Sequence, residues 1–186
     1  MIRGISNRNI LDEFAINFCK IIEKYTEYII VSGFLVISSG RVRSTEDIDM
    51  IIKPIQKEKF KLLHNELIKK NFICMQSDDP ENIYLYLKDN LSVRYTYKDQ
   101  PLPEMEVKFA VDDLDLYQLS TKTKLQLTGL DLYFGSVNMN IAFKEEYLKS
   151  PKDLEDAKHL RKVYHDTINE AEINKIKQKI RQLRLK

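Results

Sequence analysis

The chain has 186 residues, 43% hydrophobic and 10% aromatic, which suits one globular domain or a compact domain with a helical appendage. No apolar run approaches the roughly 20 residues of a membrane-spanning helix, and Met1 to Phe18 lacks the basic start, apolar centre and small-residue cleavage site of a secretory signal. A cytoplasmic protein with no membrane partner is therefore expected. The balance of 30 Lys and Arg against 28 Asp and Glu does not mark a dedicated nucleic-acid binder, and Cys19 and Cys74, with no CxxC spacing, suggest neither a disulfide framework nor a zinc site.

Asn9 to Tyr25 spaces Ile10, Phe14, Phe18, Ile21 and Ile22 as a helix does. Glu27 to Ser32 is a β-branched run suited to a buried strand, and Phe34 to Ser39 reads as a short helix closed by Gly40, a residue tolerant of the left-handed position past a helix end. Arg41 to Glu46 is loop, Asp47 to Lys53 a second strand stopped by Pro54, and Gln56 to Lys70 an amphipathic helix. Ser77 to Asn82 has turn chemistry. Ile83 to Lys88 and Leu91 to Tyr97 then read as a hairpin around Asp89-Asn90, with Tyr84, Tyr86, Tyr95 and Tyr97 on its faces. Pro101 and Pro103 open a loop, Glu104 to Val111 alternates as a strand, and Leu132 to Phe134 with Val137 to Ala142 forms a second hairpin around Gly135-Ser136. Helices starting at Pro151 and Asn169 end the chain. This order predicts an α+β fold, a mixed sheet with packed helices, divided into an α/β core over residues 1–149 and a C-terminal helical segment over 150–186 packed on that core.

The densest chemical signal is V-S-G-F-L-V-I-S-S-G-R-V-R-S-T-E-D-I-D-M-I-I, Val31 to Ile52. Strand side chains alternate, so Asp47 and Asp49 share one face while Ile48 and Met50 share the other. Adjacent carboxylates without an intervening cation repel each other, and a pair of divalent ions relieves that repulsion. Taken alone, Asp-Ile-Asp is a common solvent-facing strand pattern; Ser32-Gly33 upstream and G-R-V-R-S-T-E between them tilt the reading toward catalysis.

The segment resembles the nucleotidyltransferase superfamily with the DNA polymerase beta-like fold, whose signature is a Gly-Ser or Gly-Gly turn followed by a carboxylate-x-carboxylate strand. Within it, S-G-F-x-x-I-x-x-G-R-x-R-x-T-E-D-I-D is most similar to the small prokaryotic branch of AbiEii toxins and minimal nucleotidyltransferases. This sequence has Ser32-Gly33 at the turn.

The resemblance implies transfer of NMP from an NTP to an RNA end or a protein hydroxyl, with two Mg2+ (or Mn2+) ions held by Asp47, Asp49 and a third acid. Glu106, between apolar neighbours in M-E-V-K-F-A, resembles the third motif, while Asp112, Asp113 and Asp115 lie just beyond it. Ser32 and Gly33, before a helix start, are candidates for the triphosphate. Arg41 and Arg43 suit either a two-point phosphate clamp or pairing with the nearby acids. Lys144 and Asp156, in K-E-E-Y-L-K-S-P-K-D-L-E-D, resemble the lysine and acid-rich helix start of the family, although Ser150, Pro151 and Asp153 also read as an ordinary helix start.

Two other readings stand beside the enzyme. One is a non-catalytic nucleotide- or partner-binding protein of the same fold, half of a toxin-antitoxin or phage-defence pair with a cognate toxin or antitoxin. The other is an RNA-binding module using the tail from Asn174 to Lys186, which carries Lys175, Lys177, Lys179, Arg181, Arg184 and Lys186 and no acid.

Overall fold

Asn9 and Asp12 open the first helix by a reciprocal cap: the Asp12 N–H donates to the Asn9 side chain at 2.9 Å and the Asn9 N–H to the Asp12 carboxylate at 3.0 Å. The computed structural model describes residues 9–42, 45 and 47–185; Arg43, among the expected nucleotide-binding residues, lies outside them. The elements run α1 (Ile10–Ile22), β1 (Tyr28–Val31), α2 (Ser32–Ser38), β2 (Asp47–Ile52), α3 (Lys57–Lys69), β3 (Phe72–Cys74), α4 (Pro80–Lys88), β4 (Val93–Tyr97), β5 (Gln100–Phe109), α5 (Asp113–Ser120), α6 (Val137–Phe143), a π-helical turn (Lys144–Leu148), α7 (Pro151–Val163) and α8 (Glu170–Arg184).

The five strands form one mixed sheet in the order β1-β2-β5-β4-β3. Only β2 and β5 run parallel; the other neighbouring pairs are antiparallel. Period-two alternation sends Ile48, Met50 and Ile52 of β2 and Met105, Val107 and Phe109 of β5 into the main core. Aromatic rings from α1 and α4 meet the sheet there, Phe18 against Tyr95 and Tyr84 against Phe109. On the opposite face Ile29 and Ile51 pack under Leu119 of α5, and the remainder of that face carries the charged residues. The expected α+β architecture is thus present, and no described helix is long and apolar enough to cross a membrane.

Two expected hairpins are absent. Residues 83–88 belong to α4, because Asp79 caps the Glu81 N–H at 3.0 Å, Pro80 occupies the first turn, and Ile83 and Leu87 are buried one helical turn apart. Tyr84 and Tyr86 are consequently helix residues, while Tyr95 is a core residue of β4. Residues 137–142 belong to α6, which Ser136 caps by accepting the Met139 N–H at 3.2 Å. All six of those side chains are buried, so their apparent alternation carried no strand information. The short β3 and the helix α5 had no counterpart in the sequence pattern, and β5 begins inside the stretch expected to be loop. Ile173, Ile176 and Ile180 seat α8 on α6 and the π-helical turn.

Candidate active site

The parallel pairing of β2 with β5 builds the acidic face. Its register sets Asp47 beside Glu104 and Asp49 beside Glu106. Register partners in a sheet project to the same side, so alternation and pairing together gather four carboxylates on one face. Across the next pair, Arg94 of β4 stands opposite Glu106, and its Nε and Nη2 both donate to one Glu106 oxygen at 3.2 Å. The same guanidinium lies 3.5 Å from Glu104.

At the end of β1 the chain turns at Ser32, whose φ of +61° is in the left-handed region that L residues other than Asn and Asp seldom occupy. The Ser32 side chain favours the ionised form of the Asp49 carboxyl. Burial, then repulsion from Glu106 and Asp47, drives that carboxyl above its ordinary range, against Ser32 and the Lys144 charge. Asp49 therefore carries a charge that its surroundings leave undercompensated.

Val31, Ser32, Asp49, Glu106, Lys144 and Arg184 are among the residues lining a cavity of about 240 Å³ on this face. Lys144 is buried because the π-helical turn after α6 carries it inward, and it donates to Asp156 at 2.8 Å and to Asp153 at 3.1 Å. Asp156 is fully buried and also pairs with Arg41, whose Nη1 reaches the Lys152 carbonyl at 3.2 Å. This network ties the loop before β2 to α7.

Among the expected residues, the fold brings Ser32, Asp49, Glu106 and Lys144 to one cavity, with Asp47 on the same strand face. Arg41 and Asp156 pair with each other behind Lys144 and are not in the cavity wall, nor is Gly33. Asp112 caps α5 through the Leu114 and Asp115 N–H groups and holds Arg184 at 2.7 Å; buried Asp115 takes the same guanidinium at 2.9 Å. Both are thus committed to the α5–α8 junction, while Glu106 adjoins Asp49. Glu104 was legible from the same alternation that marked Glu106. Arg94 and Asn140, which the sequence reading missed, gave no local signal: their places depend on strand pairing and on a helix mistaken for a strand.

Asp47, Asp49 and Glu106 are hard oxygen donors on adjacent strands, and burial followed by repulsion from Glu106 and Asp47 raises the Asp49 carboxyl, so the donor chemistry fits a divalent cation. With Glu106 turned to Arg94, no three acidic, His or Cys side chains among the described residues are gathered as a cation would gather them.

No protein-family model and no curated protein matches the sequence. Solved structures do match in shape. The antibiotic-resistance factor ANT(2'')-Ia superposes with a TM-score of 0.53 at 13% identity, over 92% of this chain and 93% of its own. A nucleotidyltransferase-like protein from Paracoccidioides brasiliensis gives 0.53 at 18% identity, over 92% and 86%. At that identity the likeness speaks for the fold, and over nearly its whole length this chain has a nucleotidyltransferase-like fold.

Proposed function

We propose that the chain is a metal-dependent nucleotidyltransferase that moves NMP from an NTP to an RNA end or a protein hydroxyl. The observation that carries this reading is the pairing of Asp49 with Glu106 across the parallel strands, with Ser32 in the wall of the same cavity. In the reaction the acceptor oxygen bonds to the α-phosphorus, the bond from that phosphorus to the bridging oxygen breaks, pyrophosphate leaves, and the acceptor proton passes to a carboxylate or to solvent.

Asp47, Asp49 and Glu106 would hold Mg2+ or Mn2+, two ions in the full site. Bound there, such ions neutralise charge on the transferring phosphoryl group and raise the acidity of the acceptor hydroxyl. Arg94 would have to release Glu106 for that acid to join the set. Ser32 and Gly33 bind the phosphates. Lys144 supplies a fixed positive charge at the cavity wall, oriented by Asp156 and Asp153, and Arg41 supports it through Asp156; Arg43 is assigned to the nucleotide from its sequence position alone. Because α7 provides those acids, the C-terminal segment 150–186 contributes to the site that the core 1–149 frames. A place in a toxin-antitoxin or phage-defence pair follows from the likeness of residues 32–49 to the AbiEii branch.

The test is incubation with each of the four labelled NTPs, Mg2+ or Mn2+, total RNA and total protein. Label in RNA or protein that disappears with Asp49→Asn supports the reading. No label in any fraction, with no nucleotide binding by calorimetry, sinks it.

A further inference from the structure

Ser32 holds a conformation that its own side chain disfavours, so something outside the turn must enforce it. The enforcing contact comes from a helix more than one hundred residues away. The Ser32 N–H donates to the Asn140 Oδ1 at 3.0 Å, while the Asn140 Nδ2 donates to the Gly135 carbonyl at 3.1 Å and to the Ser136 carbonyl at 3.0 Å. One N–H on the oxygen side and two carbonyls on the nitrogen side leave a single sensible orientation of the amide. Asn140 is 5% exposed, and Ser136, to which it is tied, caps its helix. The Gly135 N–H donates to the Ile30 carbonyl at 2.9 Å, so the segment that orients Asn140 is itself bound to the strand that ends in Ser32. A Cβ on Gly135 would sit 3.3 Å from the Asn140 nitrogen, which explains why the smallest residue stands there.

We infer that Asn140 is a positioning residue of the proposed transfer site, holding Ser32 in its left-handed turn at the cavity wall that it shares with Asp49. The inference rests on the nucleotidyltransferase reading for its consequence and on the hydrogen bonds alone for its geometry. Asn140 also lines the cavity, but its amide is committed to the three backbone groups, so it acts through Ser32. The Ser32 N–H is likewise committed to Asn140.

Four variants of the full chain test this: Asn140→Ala, Ser32→Gly, the two combined, and Asn138→Ala. Asn138 is buried on the same helix and donates to Glu172 at 2.7 Å, so its loss disturbs α6 without touching Ser32. Denaturant unfolding and calorimetric binding of each of the four Mg2+–NTPs are measured. Glycine adopts the left-handed turn without a Cβ penalty, so Asn140→Ala should lower stability less in the Ser32→Gly background than in the wild type. For the NTP that binds, Asn140→Ala should raise Kd at least about tenfold. Asn138→Ala should leave Kd within about twofold even where its stability loss is comparable.

Equal shifts in Kd for Asn138→Ala and Asn140→Ala, or additive stability losses in the Ser32 and Asn140 pair, overturn the assignment. If Asn140→Ala does not fold and the double variant does, the coupling is present in its strongest form. If the wild type binds none of the four nucleotides, the transferase reading fails, and the unfolding cycle alone still decides whether Asn140 holds Ser32.

Discussion

Arg94 and Glu106 face each other across the antiparallel β4–β5 pair, joined by two hydrogen bonds of 3.2 Å to a single carboxylate oxygen. The guanidinium neutralises one of the three acids proposed to hold a cation. In that reading Arg94 would compete with the cation for Glu106. Replacing it by Gln should tighten Mn2+ binding, measured by calorimetry or electron paramagnetic resonance, by about three- to tenfold, equivalent to roughly 1 kcal/mol for a half-exposed ion pair. Weaker Mn2+ binding in Arg94→Gln would show instead that Arg94 orients Glu106 for the ion.

Asp49→Asn separates catalysis from stability. Loss of the ligand charge should cut transfer by about a hundredfold or more, roughly 3 kcal/mol of transition-state stabilisation, and Asp47→Asn should do likewise. Stability should move the other way for Asp49. Its folded carboxyl titrates above the unfolded one, so the folded state binds more protons and stability falls as pH rises from the ordinary carboxylate range through the raised value. Above the raised value the full penalty is present. Asp49→Asn should thus unfold at a higher denaturant midpoint than the wild type at pH 7, and the difference should shrink as pH is lowered through that range. A midpoint below that of the wild type at pH 7 contradicts a charge penalty from burial and repulsion at Asp49.

Lys144 and Asp156 are buried together, at 1% and 0% exposure. Truncating Asp156 to Ala leaves two cations, Lys144 and Arg41, short of their partner, and should cost about 3–5 kcal/mol in urea unfolding. Lys144→Met removes the cation and leaves Asp156 its Arg41 contact, so it should destabilise less while weakening NTP binding. If Asp156→Ala is as stable as the wild type, the network does not anchor this end of the site.

The terminal helix divides its basic residues. Lys177 pairs with Glu145, Arg181 with Glu146, and Arg184 with Asp112 and Asp115, while Lys175 and Lys179 remain exposed, the latter over the Tyr117 ring. An RNA acceptor guided by this helix would depend on the exposed lysines. Replacing Lys175, Lys179 and Lys186 by Gln should then reduce the slope of log affinity against log salt by about 2 in single-strand RNA binding, at roughly 0.7 per phosphate contact, with NTP binding unchanged. An unchanged slope points to a protein acceptor.

Sequence by itself determined the central strand, the turn before it and the helix starts at Asn9, Pro151 and Asn169. Asp47 and Asp49 had to share a face because strand side chains alternate, and Gly40, at φ +94°, had to end α2 because a left-handed position follows that helix. It did not determine α4 or α6. In both, burial on all sides or an aromatic run imitated a two-residue period, and the deciding caps, Asp79 and Ser136, are single residues whose role shows only when the next N–H groups are placed. Tertiary structure alone decided which acid stands beside Asp49. That choice depends on the parallel register of β2 and β5, set by the joint burial of Ile48, Met50, Met105 and Val107, and no local pattern encodes a register between strands some fifty residues apart. The same holds for Asn140 and Ser32: two ordinary polar residues become one device only when packing of α6 brings an amide to a strained turn.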